Sequence, residues 1–114
     1  MAIDKPEPGA PDKLILIYAT FPSHDAAETA AAALVDARLV ACANIIPGVV
    51  SIYEWQGQRQ RDAEVAMVLK TRAVRLEAVT DSIKARHPYD TPAIVAVELV
   101  GGSADYLAWV LNQT

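Results

Sequence analysis

Cysteine is all but missing from this 114-residue chain: Cys42 stands alone, so no disulfide can close within one copy. Histidine is scarce too, with only His24 and His87, whereas a tight copper or zinc site needs three or four thiolate or imidazole groups. Five glycines form no phosphate-cradling loop, and Gly101-Gly102 lacks the later glycine of a dinucleotide site. Neither HExxH nor G-x-S-x-G occurs, and nothing local sets a Ser or Cys nucleophile beside a base, so no catalysis and no organic cofactor are expected. No apolar run approaches the roughly 20 residues that cross a bilayer. Met1-Ala2-Ile3-Asp4-Lys5-Pro6 has no signal-peptide core, so the expected location is cytoplasmic. Positive charge is in deficit, with 10 Lys+Arg against 14 Asp+Glu, which makes nucleic acid and membrane surfaces poor partners. Arg59 and Arg61, set among glutamines, read as a solvated loop. What remains is 53% hydrophobic, enough to bury one core but too short for two.

Pro6, Pro8, Gly9 and Pro11 make residues 1–12 a flexible leader, and residues 13–114 a single domain. Leu14 to Ala19 is a continuous apolar run and reads as a buried strand. Ser23 offers an N-cap, and a helix follows with Ala27, Ala30, Ala31, Leu34 and Val35 as its inner stripe. Residues 41–55 are β-formers bent at Pro47-Gly48, and after Gln56-Gly57 and a polar stretch to Asp62 the run Glu64–Lys70 returns as the antiparallel partner. A second helix carries Leu76, Val79 and Ile83, with Thr71 as its cap and Pro88 forbidding continuation. Pro92 to Val100 reads as a last core strand, and Ser103 caps a short helix bearing Tyr106, Leu107, Trp109 and Val110. The order βαββαβ plus a small helix predicts an α+β, ferredoxin-like fold with both main helices on one face of a four-stranded antiparallel sheet.

Geometry then implies a partner. A strand of this length spans on the order of 45 Å, about twice the first helix. The distal hairpin carries Val49, Val50, Ile52, Tyr53 and Trp55, apolar groups that a lone subunit leaves exposed. A homo-oligomer is therefore expected, with residues 49–69 at the interface and Val49, Ile52, Tyr53 and Trp55 as anchors.

Four stretches in order, Val40 to Gly57, Glu64 to Arg72, His87-Pro-Tyr-Asp-Thr-Pro and Asp105-Tyr-Leu-Ala-Trp, closely resemble the CutA family of divalent-cation tolerance proteins, and the likeness runs from about Leu14 to the end. The resemblance implies a homotrimer of ferredoxin-like subunits, similar in architecture to the PII signalling proteins. It also implies a role in the response to metal ions, with copper(II) or another divalent cation as ligand.

Among the residues on offer, His24 reads as a helix-end or solvent group and Cys42 as a small core residue or metal ligand. His87, where the second helix stops, is either a carbonyl cap or the best metal ligand, with Asp90 close enough to accept its other N–H. The resemblance implies that cysteine and neighbouring histidines carry metal in the family; here Tyr18-Ala19 stands in the first strand without a cysteine, which argues against a tight single-chain copper site and leaves a weak one, of several copies of His87 or of carboxylates such as Asp90 and Glu64, assembled between subunits. The alternative is a non-catalytic regulatory module in which Trp55, Lys70, His87 and Tyr89 form a subunit-cleft pocket for a small anionic or aromatic ligand. In a third arrangement Lys70 simply pairs with Glu64 or Asp90.

Overall fold

The computed structural model describes residues 13–114, and the expected leader lies outside the described residues. The chain runs β1 (Leu14–Phe21), α1 (His24–Asp36), β2 (Cys42–Trp55), β3 (Gln58–Arg72), a 3-10 turn (Ala73–Arg75), α2 (Leu76–Arg86), β4 (Ile94–Glu98) and α3 (Ala104–Gln113). All strand pairs are antiparallel and the sheet order is β2-β3-β1-β4. This is the ferredoxin-like α+β arrangement with one helix appended.

Strand alternation decides what each face holds. On one face, Ile15, Ile17, Ala19 and Phe21 of β1 and Val65, Met67 and Leu69 of β3 pack under Ala27, Ala30, Ala31 and Leu34 of α1 and Val79 and Ile83 of α2. Small residues on α1 let its axis come close, and burial of a side chain such as Leu34 contributes about 1.5–3 kcal/mol. Among the described residues the opposite face is covered only at one end, where Val110 and Leu107 of α3 pack against Leu14 and Ala41. Elsewhere it is open, with Tyr18, Ile46, Val95 and Val97 exposed.

Ser23 caps α1, its hydroxyl accepting from the Ala26 amide at 3.1 Å. Val35 departs from the expected stripe and is exposed, because one more position around the helix turns it away from the sheet. Thr71 does not cap α2. It is a fully buried residue of β3, and its hydroxyl donates to the Leu39 carbonyl at 2.6 Å, while α2 begins after the 3-10 turn without a side-chain cap. Leu76, expected on the inner stripe, is consequently exposed at the start of that helix. Ser103 precedes α3 without a side-chain cap bond. The last strand is shorter than expected and lies at the sheet edge; its Ile94 and Ala96 pack on the core, whereas Val95 and Val97, opposite Tyr18 and Leu16, lie on the open face and are exposed.

The hairpin is longer than the polar stretch suggested, because β3 starts immediately after the turn at Gln58. Gln56 and Gly57 have φ of 52° and 79°, the left-handed pair whose twist matches the flanking strands. Pairing shifts between Ile46 and Val49, where Gly48 takes φ 83°, so Pro47-Gly48 is a bulge within β2. The ribbon stretches the molecule to 55 Å in one direction against 27 and 23 Å in the others.

Candidate functional site

A cleft of about 660 Å³ opens on the sheet face opposite α1 and α2, between the β2–β3 ribbon, the middle of β1 and the turn after α2. Alternation along the ribbon brings Ser51, Tyr53 and Trp55 of β2 and Asp62 and Glu64 of β3 onto this one face. Tyr18 and Thr20 of β1 form the floor, and Pro88, Tyr89 and Asp90 of the turn close the side. Among the described residues its lining includes four aromatic rings and three carboxylates, with no Lys, Arg or His.

The carboxylates are tied to the phenols. Tyr53 donates its hydroxyl to Asp62 Oδ2, and Tyr89 donates to Glu64 Oε2 at 3.2 Å. The bond to Asp62, reinforced by desolvation and by carboxylate charge, pushes the Tyr53 phenol up to about 12. Desolvation, followed by the charge and hydrogen bond of Glu64, raises the Tyr89 phenol as well. The leading cause is thus the hydrogen bond at Tyr53 and desolvation at Tyr89, with carboxylate charge adding to both.

His87 ends α2 and is buried behind this wall rather than exposed within it. Its Nε2 lies 2.7 Å from the Thr20 carbonyl, and its Nδ1 accepts from the Tyr89 amide at 3.1 Å. The network therefore fixes an Nε2–H tautomer and leaves neither nitrogen for a metal. Phe21 and Tyr89 pack on the ring at centroid distances of 4.9 and 4.6 Å. Asp90, expected from sequence to accept the other N–H of His87, does not; the Thr20 carbonyl takes that place. The imidazole acts as a strut that holds Tyr89 and Asp90 over the ribbon.

Cys42 lies elsewhere. Its cross-strand partner is Lys70, whereas Thr20 pairs with Ala66, so about 13 Å of strand separates Cys42 from the level of His87. The Cys42 sulfur sits 3.3 Å from the Tyr106 hydroxyl, an interaction that is the leading cause of the raised Tyr106 phenol. Lys70 is in the same remote cluster, donating to Asn44 Oδ1 at 2.8 Å with its Nζ 5.7 Å from the Tyr106 ring centre. It is therefore neither in the cleft nor paired with Glu64 or Asp90, since six strand positions along β3 carry it away from Glu64. His24 keeps the solvent-side role expected of it, with Nε2 2.8 Å from Glu28 on the next turn. Sequence reasoning missed Tyr18, Ser51 and Asp62 as wall residues. The period-two spacing of Ser51, Tyr53 and Trp55 and of Asp62 and Glu64 was the available signal, legible only once the register is known.

Comparison with known proteins converges on one family. The family described as CutA1 divalent ion tolerance protein matches residues 15–113. The chain belongs to the CutA1 family. Among relatives, the divalent-cation tolerance protein CutA of Thermus thermophilus is 42% identical over 103 residues, which cover 90% of this chain and 98% of that protein. Protein CutA of Homo sapiens is 38% identical over 104 residues, 91% of this chain and 58% of its own length. The chloroplastic protein CutA of Arabidopsis thaliana is 42% identical over 100 residues, 88% and 55% respectively, so this chain spans little more than half of those plant and human proteins. The crystal structure of CutA1 from Oryza sativa superposes with a TM-score of 0.87 at 40% identity, covering 90% of this chain and 94% of that one.

The family's description, divalent ion tolerance, prompts a test of the donor set. Copper and zinc favour thiolate and imidazole. Here the one thiol and the buried imidazole stand apart, and among the described residues no three His, Cys, Asp or Glu side chains converge to hold an ion. A tight copper site does not fit a single chain.

Proposed function

We propose that this CutA1-family protein serves divalent-cation tolerance as a non-catalytic homotrimer, with weak binding of copper(II) or a related divalent ion where neighbouring subunits meet. The observation that carries this reading is the uncovered apolar surface: Val95 and Val97 on the open sheet face, and Ile52 and Trp55 on the ribbon, are each half exposed or more. Single subunits rarely leave such a surface beside an unpaired strand edge. Two different patches on one chain, a ribbon and a sheet face, suit a head-to-tail contact closed by threefold rotation. Val49, Ile52, Tyr53 and Trp55 are its proposed anchors. Oxygen donors for a divalent ion would come from Asp90 and Glu64, with no such role for His87 while its ring holds Thr20 and Tyr89. A cytoplasmic location is part of the proposal and rests on the lone free thiol, which suits a reducing compartment. Among the described residues no helix is long and apolar enough to cross a membrane.

Light scattering at micromolar concentration tests the assembly, for which three times the chain mass is expected and a monomer would refute it. Equilibrium dialysis against copper(II) tests the ion, with weak saturable uptake expected in wild type and His87→Ala and a loss in Asp90→Asn.

A PII-like regulatory role at subunit clefts is the second reading, favoured by the roomy aromatic cleft. The expected anionic ligand does not suit it, because Lys70 is absent from the lining and three carboxylates are present.

A further inference from the structure

The turn between α2 and β4 hangs on one buried side chain. His87 is 9% exposed, and its ring nitrogens face backbone groups of opposite kind: Nε2 donates to the Thr20 carbonyl at 2.7 Å, and Nδ1 accepts from the Tyr89 amide at 3.1 Å. A carbonyl only accepts and an amide N–H only donates, so these contacts require the neutral ring with its hydrogen on Nε2. Both partners belong to the same chain, so the contacts do not depend on whether a neighbouring copy covers the turn. Residues 88–93 have little else to hold them. Pro88 and Pro92 carry no N–H, and among the described residues no backbone–backbone bond outside the helices and strands involves this stretch. The remaining hydrogen bond there is that of the Tyr89 phenol to Glu64.

Few charged groups surround the ring. β1 presents the Thr20 carbonyl and the Phe21 ring, the turn presents Tyr89 with Asp90 next along the chain, and α2 sets Lys84 and Arg86 in the last turn before His87. Glu64 of β3 reaches the imidazole only through the Tyr89 phenol, His24 of α1 is engaged with Glu28, and neither ion pair among the described residues includes His87. The carbonyl end of α2 favours a cation, while Lys84 and Arg86 oppose one. Whichever way that balance falls, hydrogen-bond direction decides the outcome. An imidazolium carries a hydrogen on both nitrogens, so Nδ1–H points at the Tyr89 N–H and that bond is lost, while the bond to Thr20 persists. We propose that His87 is a proton-operated latch: as the neutral ring it pins the 88–93 turn to β1, and on protonation it releases Tyr89 and loosens the turn from the ribbon. Order in the turn is complete at alkaline pH and is lost as pH falls.

NMR of the nitrogen-labelled, assembled protein reads ring and turn together between about pH 8 and about pH 5, the range in which imidazole changes charge. At the alkaline end the His87 ring is expected as the Nε2–H tautomer. Its protonation should coincide with a fall of about tenfold or more in the exchange protection of the Tyr89 amide, corrected for the intrinsic effect of pH, while amides of β1 keep theirs. His24→Gln, which removes the one other histidine, should leave the fall unchanged, and His87→Gln should make Tyr89 protection constant with pH. Should His87→Gln fail to fold by circular dichroism, Glu64→Gln separates the two acid-sensitive groups, and the fall should persist in it. A ring that protonates with Tyr89 protection intact, a ring that stays neutral until the whole subunit unfolds, a fall that survives His87→Gln, or one that vanishes in Glu64→Gln would overturn the inference.

Discussion

Tyr89 and Glu64, 25 residues apart in sequence, meet where the phenol donates to Oε2 at 3.2 Å. That bond ties the turn after α2 to the base of the β2–β3 ribbon, and His87 backs it by accepting from the Tyr89 amide while holding the Thr20 carbonyl. One side of the cleft is thus set by a chain of contacts from β1 through the imidazole to β3.

Removing the strut should cost stability first. His87→Ala deletes two hydrogen bonds and the ring packing on Phe21, and a loss of about 2–4 kcal/mol is expected in urea unfolding. A melting curve identical to wild type would show that the turn is held by other contacts.

Thr71 offers a sharper test of a buried polar group. Thr71→Val keeps the shape but leaves the Leu39 carbonyl without its donor, so a destabilisation of about 1–3 kcal/mol is expected, whereas Thr71→Ser should recover part of it.

Trp55, half exposed at the ribbon tip, is expected to anchor the assembly. Trp55→Ala should lower the melting temperature and make it fall further on dilution, with a change near 2 kcal/mol or more at the interface. Unchanged melting at every concentration would make the tip peripheral.

Tyr53 predicts an alkaline signature. Its phenol is raised from 10.0 to about 12, chiefly by the bond to Asp62, so the folded state prefers the protonated form. The associated stability is complete below pH 10 and is lost as pH rises toward about 12. Ultraviolet titration of tyrosinate should show a late-titrating phenol that disappears in Tyr53→Phe and moves down in Asp62→Asn.

The end of α3 is clamped by arginines. Arg75 places Nη2 2.7 Å and Nε 3.3 Å from the Thr114 carbonyl, and Arg72 donates to the Leu111 carbonyl at 2.8 Å. Arg75→Ala should speed amide exchange in the last turn of α3 without altering exchange in β1, and uniform acceleration would instead indicate global loosening.

Much of this molecule is written locally. Period-two and helical spacing, Ser23, Pro47-Gly48, Gln56-Gly57 and Pro88 mark the elements and their order, because each acts through its own backbone or nearest neighbours. The excess length of the ribbon follows from residue count alone. Local pattern misled where a residue's partner lies far away: Thr71 looks like a cap until Leu39 is seen beside it, and Val95 and Val97 look like core until pairing opposite Tyr18 and Leu16 puts them on the open face.

The composition of the cleft is the clearest case. For a ligand pocket the sequence nominated Trp55, Lys70, His87 and Tyr89, of which Trp55 and Tyr89 line the cleft, joined by Asp90 from the proposed metal set, but register alone sends Lys70 and Cys42 to the far cluster with Tyr106 and brings Asp62 and Glu64 to the wall. Side-chain type and spacing thus determined the elements, the family likeness and the need for cover. Which charges face one another was decided only by tertiary structure, because electrostatics acts across a few ångströms of space, and pairing between distant strands sets those distances.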